Sequence, residues 1–223
     1  LTSKSYNVKT MSRGMVLWNS VYDIAEIPIK KDTTILQFRR IGKGCLSYMI
    51  ISNRKSIIID PAIDIKIYVE KAMEYNARIL AVIETHTHAD HVSGAKDLSE
   101  SGKVKYISPD SKMGIKHELI KPDSKIGFDN LIIQTMPTPG HTSESAILLF
   151  EDLVFTGDTL FIDGIGRPDL DQDVNENSSI LYDSIHNKIM NLNKNARILP
   201  AHYSEKKNLE KDIPVIIKLS ELK

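Results

Sequence analysis

The heptapeptide from Thr85 to His91 reads Thr-His-Thr-His-Ala-Asp-His and gathers four potential metal ligands. Its alternate residues His86 and His88 can point to one side of an extended segment, and we expect Asp90 and His91 to turn in at the start of the next helix. Three imidazoles and a carboxylate this close together would be costly to bury without a cation between them. The heptapeptide therefore predicts a metal site.

Three further candidate ligands each follow a segment that we predict to be a strand. His141 stands in Pro-Thr-Pro-Gly-His-Thr, where two prolines and a glycine restrict the backbone and so direct the side chain. Asp158 ends an apolar strand, where a carboxylate is out of place unless it contacts a cation. His202 follows a short strand. Because loops on a rigid scaffold carry function, we expect the seven candidate ligands to lie along one edge of the domain.

The order of elements around these residues predicts the fold class. Short β-rich runs, a helix behind Asp64 as N-cap, further strands and a second helix imply two β-layers covered by helices on their outer faces. This is an αβ/βα four-layer sandwich of the α/β class. Residues 1–33 lack periodicity and are expected to be a loosely packed N-terminal extension, whereas residues 34–223 are expected to form one domain that carries the candidate ligands. The predicted strands are 35–41, 46–52, 56–60, 78–84, 131–136, 145–150, 153–156 and 197–199, and the predicted helices are 65–76 and 180–192.

Composition and charge exclude several classes of protein. The 29 basic residues balance the 29 acidic ones, and no basic run is interleaved with aromatic residues, so nucleic acid is not an expected partner. No segment approaches the ~20 apolar residues of a membrane span, and the N-terminus has no apolar signal-like region. The single cysteine, Cys45, excludes an intramolecular disulfide and fits a reducing compartment. We therefore expect a soluble, cytoplasmic protein with no membrane partner, and the start at Leu1 leads us to expect further residues upstream.

The motifs, taken in this order, resemble the metallo-β-lactamase superfamily across about residues 34–205. Within it, the chain is similar to the glyoxalase II and persulfide dioxygenase branch rather than to the antibiotic-degrading lactamases, many of which have a cysteine where Asp158 stands. The loop from Gly164 to Leu170 resembles the Gly-Arg-Pro-Asp loop of persulfide dioxygenases. Only 21 residues follow His202, fewer than the helical substrate domain of glyoxalase II would need. The resemblance therefore favours the persulfide dioxygenases.

Two metal arrangements use the same candidate ligands, and their spacing does not choose between them. Two zinc ions bridged by Asp158 would suit a hydrolase. The ligands of the first ion would be His86, His88 and His141, and those of the second would be Asp90, His91 and His202. The resemblance to persulfide dioxygenases instead implies one Fe(II) per chain, held by His86, His141 and Asp158 as a facial triad. The other four residues would then surround the iron or hold a weaker second site.

The resemblance also implies substrates. These are O2 and a small-molecule thiol persulfide such as glutathione persulfide, with sulfite and the carrier thiol as products. The predicted catalytic residues are Asp90, Arg167 and Tyr203. Arg167 could clamp a carboxylate of the carrier with its planar guanidinium, or it could brace its own loop through an ion pair with Asp163 or Asp169. Tyr203 could hydrogen-bond the substrate or oxygen, or it could serve packing alone.

The remaining candidates are assigned to structure. Cys45, beside Gly44, is expected to be a small core residue, because nothing cationic is adjacent in sequence to lower its pKa. His117 and His186 stand in polar surroundings and are expected at the surface. Trp18 and the N-terminal extension could cover part of the cleft or form the contact of a homodimer.

Two other classes of function remain open. A hydrolase of thioesters, lactones or phosphodiesters would keep the fold and use two zinc ions, and metal analysis would distinguish it. A non-catalytic sulfur-relay or binding module would have no need of an intact ligand set. Because family members are sometimes fused to rhodanese-like sulfurtransferase domains, such a domain is a candidate protein partner.

Overall fold

Two β-sheets pack face to face in the computed structural model of this chain, which describes residues 12, 14–18, 20–29, 32–170, 173–203 and 210–222. The strands of the first sheet are, in spatial order, β1 (Tyr22–Ile27), β2 (Thr33–Arg40), β3 (Cys45–Ser52), β4 (Lys55–Ile59), β5 (Arg78–Ile83), β6 (Lys105–Ser108) and β7 (Glu118–Leu119). Those of the second sheet are β13 (Ile217–Lys218), β12 (Arg197–Pro200), β11 (Leu153–Gly157), β10 (Ala146–Phe150), β9 (Leu131–Pro137) and β8 (Lys125–Phe128).

Each sheet combines an antiparallel meander with parallel strands. Strands β1 to β4 are antiparallel neighbours, whereas β4, β5, β6 and β7 run parallel. In the second sheet β8 to β11 are antiparallel, and β12 runs parallel to β11. Neighbouring parallel strands end at the same edge of a sheet. The segments after β4 and β5, and those after β11 and β12, are therefore brought together in pairs.

Helices cover the outer faces of both sheets. The described α-helices are α1 (Gly14–Trp18), α2 (Lys66–Glu74), α3 (Ala95–Glu100) and α4 (Val174–Asp183). Tyr68 and Ala72 of α2 and Leu98 of α3 pack on the first sheet. A π-helical turn (Ser184–Lys188) and a 3-10 turn (Ile189–Asn191) continue α4, and Ile189 packs on the second sheet. The predicted four-layer α/β sandwich is confirmed.

Successive side chains of the central strands point alternately to the core between the sheets and to the outer helices, which accounts for the four layers. In β3, Tyr48 and Ile50 face the core between the sheets, whereas Met49 faces the helices. In β11, Phe155 faces the central core and Val154 the outer one. Since successive side chains of a strand point to opposite faces, a strand that is apolar at every position is buried on both.

The predicted N-terminal extension contains a strand that belongs to the first sheet. Residues 22–27 form β1, which pairs along its whole length with β2, and its Ala25 and Ile27 are buried. An ion pair between Asp23 and Arg39 adds a contact to the same strand. This part of the extension prediction is wrong, because an edge strand with one solvated face has a weak apolar pattern. Most of residues 1–21 lie outside the described residues, and the expectation for Trp18, which is half-exposed, stays a prediction.

The helix boundaries also differ from the prediction. Helix α2 has Ile65 as its N-cap and no capping hydrogen bond from a side chain, so Asp64 is not the cap. Helix α4 begins at Val174, behind Asp173, whose carboxylate accepts from the Glu176 backbone N–H. The second predicted helix, 180–192, thus covers the end of α4 and the two turns that follow. The short elements β6, β7, β8, β13 and α3 were missed, since few residues contribute to any periodic pattern there.

Among the described residues, no helix is long and apolar enough to cross a membrane. The cytoplasmic location stays a prediction.

Candidate metal centre

The seven predicted ligands all follow strands, and the sheet topology brings them to one end of the sandwich. His86 follows β5, Asp158 follows β11 and His202 follows β12. His141 lies in the connection between β9 and β10. Asp90 and His91 lie in the turn before α3, rather than at its start as predicted, because that helix begins at Ala95. These side chains form two neighbouring groups.

The triad cluster consists of His86, His141 and Asp158, all buried. One potential ligand atom from each residue lies within 4.8 Å of the others. The Oδ2 atom of Asp158 is 3.8 Å from His86 Nε2 and 3.6 Å from His141 Nε2. Two imidazoles and one carboxylate that converge in this way are the donor set of a facial triad.

The thiol cluster consists of Cys45, Asp90, His91 and His202, again with one ligand atom from each residue within 4.8 Å of the others. Asp90 Oδ1 is 3.0 Å from His91 Nδ1, and Asp90 Oδ2 is 2.7 Å from His202 Nε2. The contacts with His202 and His91 hold the pKa of Asp90 well below its usual range. Burial raises the pKa of Cys45, but the proximity of His202 and His91 lowers it, and the net value is about 6.

Anionic neighbours raise the pKa values of the two histidines in the thiol cluster. Burial lowers the pKa of His202, but its contacts with Asp158 and Asp90 outweigh burial and raise the value to about 12. Burial likewise lowers the pKa of His91, whereas Asp90 and Cys45 raise it to about 9. Anionic neighbours therefore stabilise a cation at this position, whether a proton or a metal ion.

Unpartnered nitrogen atoms indicate that the residues fit a metal. Within the described part of the chain, five buried imidazole nitrogens lack a hydrogen bond of acceptable geometry: His86 Nε2, His88 Nδ1, His88 Nε2, His91 Nε2 and His202 Nε2. Burial, followed by the charges of neighbouring histidines, lowers the pKa of His86 and keeps this imidazole neutral, as a ligand must be. Buried polar atoms are normally hydrogen-bonded, so this many unpaired nitrogens in one place are explained by a metal ion.

Hydrogen bonds around the triad orient its imidazoles. Thr85 Oγ1 donates its proton to Asp60 Oδ2 at 2.9 Å, so it accepts from His86 Nδ1, also at 2.9 Å. His141 Nδ1 donates to the backbone carbonyl of Arg167 at 2.9 Å. Both histidines therefore carry a proton on Nδ1 and direct Nε2 towards Asp158, and such supporting bonds usually fix the orientation of a metal ligand.

His88 lies beside the two clusters rather than within either of them. Its Nε2 is 3.4 Å from Asp60 Oδ1, and its ring stands 4.2 Å from that of His86 and 4.1 Å from that of His91. Its role as a direct ligand stays a prediction. Asp60 is not among the predicted site residues, although it ends an apolar strand just as Asp158 does and could have been identified for the same reason.

A cleft of about 570 Å³ opens onto both clusters. Its polar lining includes His141, Asp158, Asp90 and His202. The other side chains that line it are Ala89, Phe161, Ile165, Arg167 and Leu170. A small ligand held here would therefore contact metal donors, several apolar side chains and a single guanidinium.

The predicted catalytic residues occupy different positions relative to this cleft. Arg167 lines it and is exposed, but its guanidinium forms a bidentate ion pair with Asp169 at 2.6 and 2.8 Å. The structure thus contains the predicted ion pair that braces the loop, and its partner is Asp169 rather than Asp163. A role for Arg167 as a clamp of a substrate carboxylate stays a prediction. Tyr203 packs partly buried against the central core, and its backbone N–H donates to Gly44 at 3.1 Å. Its catalytic role also stays a prediction.

Of the residues predicted to be structural, two lie outside the clusters and one lies within the thiol cluster. His186 is exposed and stacks on Tyr182, and His117 is partly buried beside Tyr106, so both lie outside the clusters. Cys45 is buried, as expected of a core residue, yet it faces His91 and His202. No local pattern predicts this contact, because both histidines are remote from Cys45 along the chain.

The comparison with known families agrees with this fold and donor set. A family model described as the metallo-beta-lactamase superfamily matches residues 40–203. The match covers more than half of the chain, so the chain belongs to the metallo-β-lactamase superfamily, and it carries the ligand set of a metal-dependent enzyme of that fold.

Individual relatives fall in two branches. Mitochondrial persulfide dioxygenase ETHE1 of Bos taurus is 31% identical over 173 residues, which cover 72% of this chain and 65% of that protein. Hydroxyacylglutathione hydrolase of Francisella philomiragia is 31% identical over 168 residues, which cover 73% of this chain and 64% of that protein. The crystal structure of ETHE1 from Myxococcus xanthus superposes with a TM-score of 0.74 at 26% identity, covering 83% of this chain and 79% of that one. The chain thus spans less than two thirds of the length of these two curated relatives.

Proposed function

We propose that this chain is an iron-dependent persulfide dioxygenase that oxidises glutathione persulfide, or a similar small thiol persulfide, to sulfite. The observation that carries the proposal is the triad cluster, in which one ligand atom from each of His86, His141 and Asp158 lies within 4.8 Å of the others. Two imidazoles and one carboxylate with open positions are typical of non-haem Fe(II) oxygenases. The similarity to the mammalian persulfide dioxygenase ETHE1, and to the structure of ETHE1 from Myxococcus xanthus, supports the same activity.

When bound at the triad, Fe(II) would supply open coordination positions for O2 and for a sulfur ligand. The chain's own residues would orient the substrate and limit the access of water. Phe161, Ile165 and Leu170 offer apolar surface to the carrier of the persulfide next to the triad. Arg167, at the rim of the same cleft, offers the charge that a carboxylate of the carrier would need. The overall reaction consumes one persulfide, one O2 and one water and yields sulfite and the free thiol.

The test is purification without oxygen, quantification of metals, and measurement of O2 uptake and sulfite release with glutathione persulfide. We expect about one iron per chain in the triad and one O2 consumed per sulfite formed. His141→Ala should abolish both the iron and the uptake, whereas the exposed His186→Ala, outside the clusters, should change neither. Iron-loaded protein that consumes no O2 with any thiol persulfide would contradict the proposal.

The second candidate is a dinuclear zinc hydrolase of glutathione thioesters, lactones or phosphodiesters. The observation that favours it is the thiol cluster, which offers donors for a second ion beside the triad. Similarity to the Francisella philomiragia hydrolase supports it as well. Two zinc ions per chain, thioester hydrolysis and no O2 uptake would establish this candidate instead. A cytoplasmic location, a homodimer and a rhodanese-like sulfurtransferase partner remain predictions, as does the absence of nucleic-acid and membrane partners.

A further inference from the structure

We infer that Cys45 is a metal ligand, which makes the thiol cluster a zinc-type site with donors from Cys45, Asp90, His91 and His202, distinct in chemistry from the triad beside it. The inference goes beyond the proposed function and does not depend on which reaction the triad performs. It replaces the expectation that Cys45 is only a small core residue.

The first support is the position of the thiol. Cys45 is 4% exposed, and its Sγ atom lies within 4.8 Å of ligand atoms from Asp90, His91 and His202. The hydrogen bond from the thiol to the Lys43 carbonyl is long, at 3.9 Å, so the backbone holds the thiol only weakly, and the side chains of His202 and His91 contact it from the other cluster positions. A buried sulfur that faces two imidazoles and a carboxylate completes a set of four donors, the number that zinc prefers in proteins.

The second support is an unpartnered imidazole nitrogen in the same cluster. The His91 side chain is 5% exposed, and its Nε2 atom has no hydrogen-bond partner among the described residues. Its other nitrogen, Nδ1, is held 3.0 Å from Asp90 Oδ1, which fixes the direction of the ring. A buried nitrogen that is oriented but unsatisfied is what a metal ligand presents when no ion is bound.

The third support is the backbone that brings Cys45 to His202. These two residues form an antiparallel bridge, flanked by hydrogen bonds from Leu46 N–H to Ala201 O at 2.7 Å and from Tyr203 N–H to Gly44 O at 3.1 Å. Gly44 permits this approach, because it has a φ of +72° and a Cβ at this position would lie 2.9 Å from the Tyr203 carbonyl. The thiol is therefore fixed by the start of β3, a rigid element, rather than by a mobile loop.

The chemical types of the donor atoms indicate which metal each cluster prefers. Thiolate is a soft ligand that favours zinc and related thiophilic ions, whereas the imidazole and carboxylate set of the triad suits iron. Asp158 lies between the two sites, since its Oδ2 faces the triad and its Oδ1 is 2.6 Å from His202 Nδ1. The geometry thus points to a centre in which neighbouring positions select different metals.

The test is cobalt substitution, because a thiolate bound to Co(II) gives a sulfur-to-metal charge-transfer absorption in the near ultraviolet that nitrogen and oxygen ligands do not give. Cys45 is the one cysteine in the sequence, so such a band has a single source. We expect the band in the wild type and in His141→Ala, which removes a triad ligand and keeps the thiol cluster. Cys45→Ser should abolish the band and weaken zinc binding at this site by at least about 10-fold, the lower limit for loss of a supporting partner.

Zinc X-ray absorption on the wild-type protein gives a second measurement that no folding defect of a variant can affect. We expect a sulfur neighbour at about 2.3 Å from zinc. With both metal positions filled, a zinc shell of nitrogen and oxygen alone, or two Co(II) ions per chain without the charge-transfer band, would overturn the inference. Failure of O2 uptake with the sulfur signal intact would instead contradict the dioxygenase proposal and leave this site standing.

Discussion

The carboxylate of Asp158 connects the two clusters through His202, whose Nδ1 atom lies 2.6 Å from Asp158 Oδ1. The other oxygen of the same carboxylate faces His86 and His141. One side chain therefore contributes to the triad directly and positions a histidine of the thiol cluster. Substitutions at the two ends of this contact should have different effects on metal content.

Asp158→Ala should abolish activity and lower the metal affinity of the triad by more than about 100-fold, beyond the usual cost of losing a supporting partner. The reason is that this variant removes the anionic donor of the triad and leaves two imidazoles. Asp163→Ala, an exposed carboxylate in the adjoining loop, is the matched control and should retain metal and activity. Metal analysis after gel filtration measures both, and full occupancy in Asp158→Ala would refute the assignment.

His202→Ala should retain close to one iron per chain, since this residue belongs to the thiol cluster and not to the triad. Its rate of O2 uptake should fall by about 10- to 100-fold, because Asp158 loses the hydrogen bond that orients it. Iron content and initial rates are measured on the same sample. Complete loss of iron would show that His202 holds the triad metal itself.

Substitutions at Arg167 distinguish two roles for this side chain. It either braces its loop through the ion pair with Asp169 or binds a carboxylate of the substrate. For a clamp, Arg167→Ala should weaken turnover of glutathione persulfide by about tenfold or more relative to an uncharged alkyl persulfide, the scale of a charge-assisted hydrogen bond. Arg167→Lys, which keeps the charge but not the planar fork, should recover only part of the loss.

Asp169→Asn provides the matched comparison for the same question. It frees the guanidinium from its bidentate partner, so under the clamp it should leave kcat/KM for glutathione persulfide unchanged or higher. A brace predicts the opposite, because both variants would then loosen the loop whose Arg167 carbonyl supports His141. Equal losses for both persulfides in both variants would exclude the clamp.

Gly166→Ala should disrupt the triad although Gly166 is not a ligand, because this residue packs against Asp158 and His141. A Cβ on Gly166 would clash with the Asp158 carbonyl oxygen and lie 3.0 Å from His141 Nδ1, so the loop or the ligands must move. We expect a loss of about 1–3 kcal/mol in stability, typical of overpacking, together with reduced metal content. Gly164→Ala is the control, because its nearest contact would be an ordinary 3.9 Å to Phe161. Thermal unfolding and metal analysis distinguish the two, and equal behaviour would contradict the expected crowding.

Asp60→Ala should weaken the triad without removing a ligand. Asp60 accepts hydrogen bonds from the backbone N–H and hydroxyl of Thr85 at 2.8 and 2.9 Å, and Thr85 in turn orients His86. Loss of these buried bonds to a charged acceptor should cost about 1.5–3 kcal/mol of stability. Metal affinity should fall by about 10- to 100-fold. Asp97→Ala, an exposed carboxylate on α3, should change neither quantity, and an unaltered affinity in Asp60→Ala would refute the positioning role.

The strands that carry the ligands could be predicted from the sequence with small errors. The predicted strands 46–52, 78–84 and 153–156 correspond to β3, β5 and β11, because apolar runs of that length indicate strands buried on both faces. The edge strand β1 was missed, since only one of its faces is buried and its pattern resembles that of a loop. Local patterns record burial, and a strand with little burial leaves little signal.

The sequence by itself determined which residue types could bind a metal, because histidines and carboxylates at strand ends are costly unless a cation meets them. Only the tertiary structure divided these residues into a triad cluster and a thiol cluster, added Cys45 to the second, and placed Asp60 behind Thr85. Only the structure showed that Arg167 pairs with Asp169 rather than with Asp163. These relationships join segments that are remote in the chain or depend on loop conformation. Their distances follow from how the two sheets pack, which no local pattern of residues records.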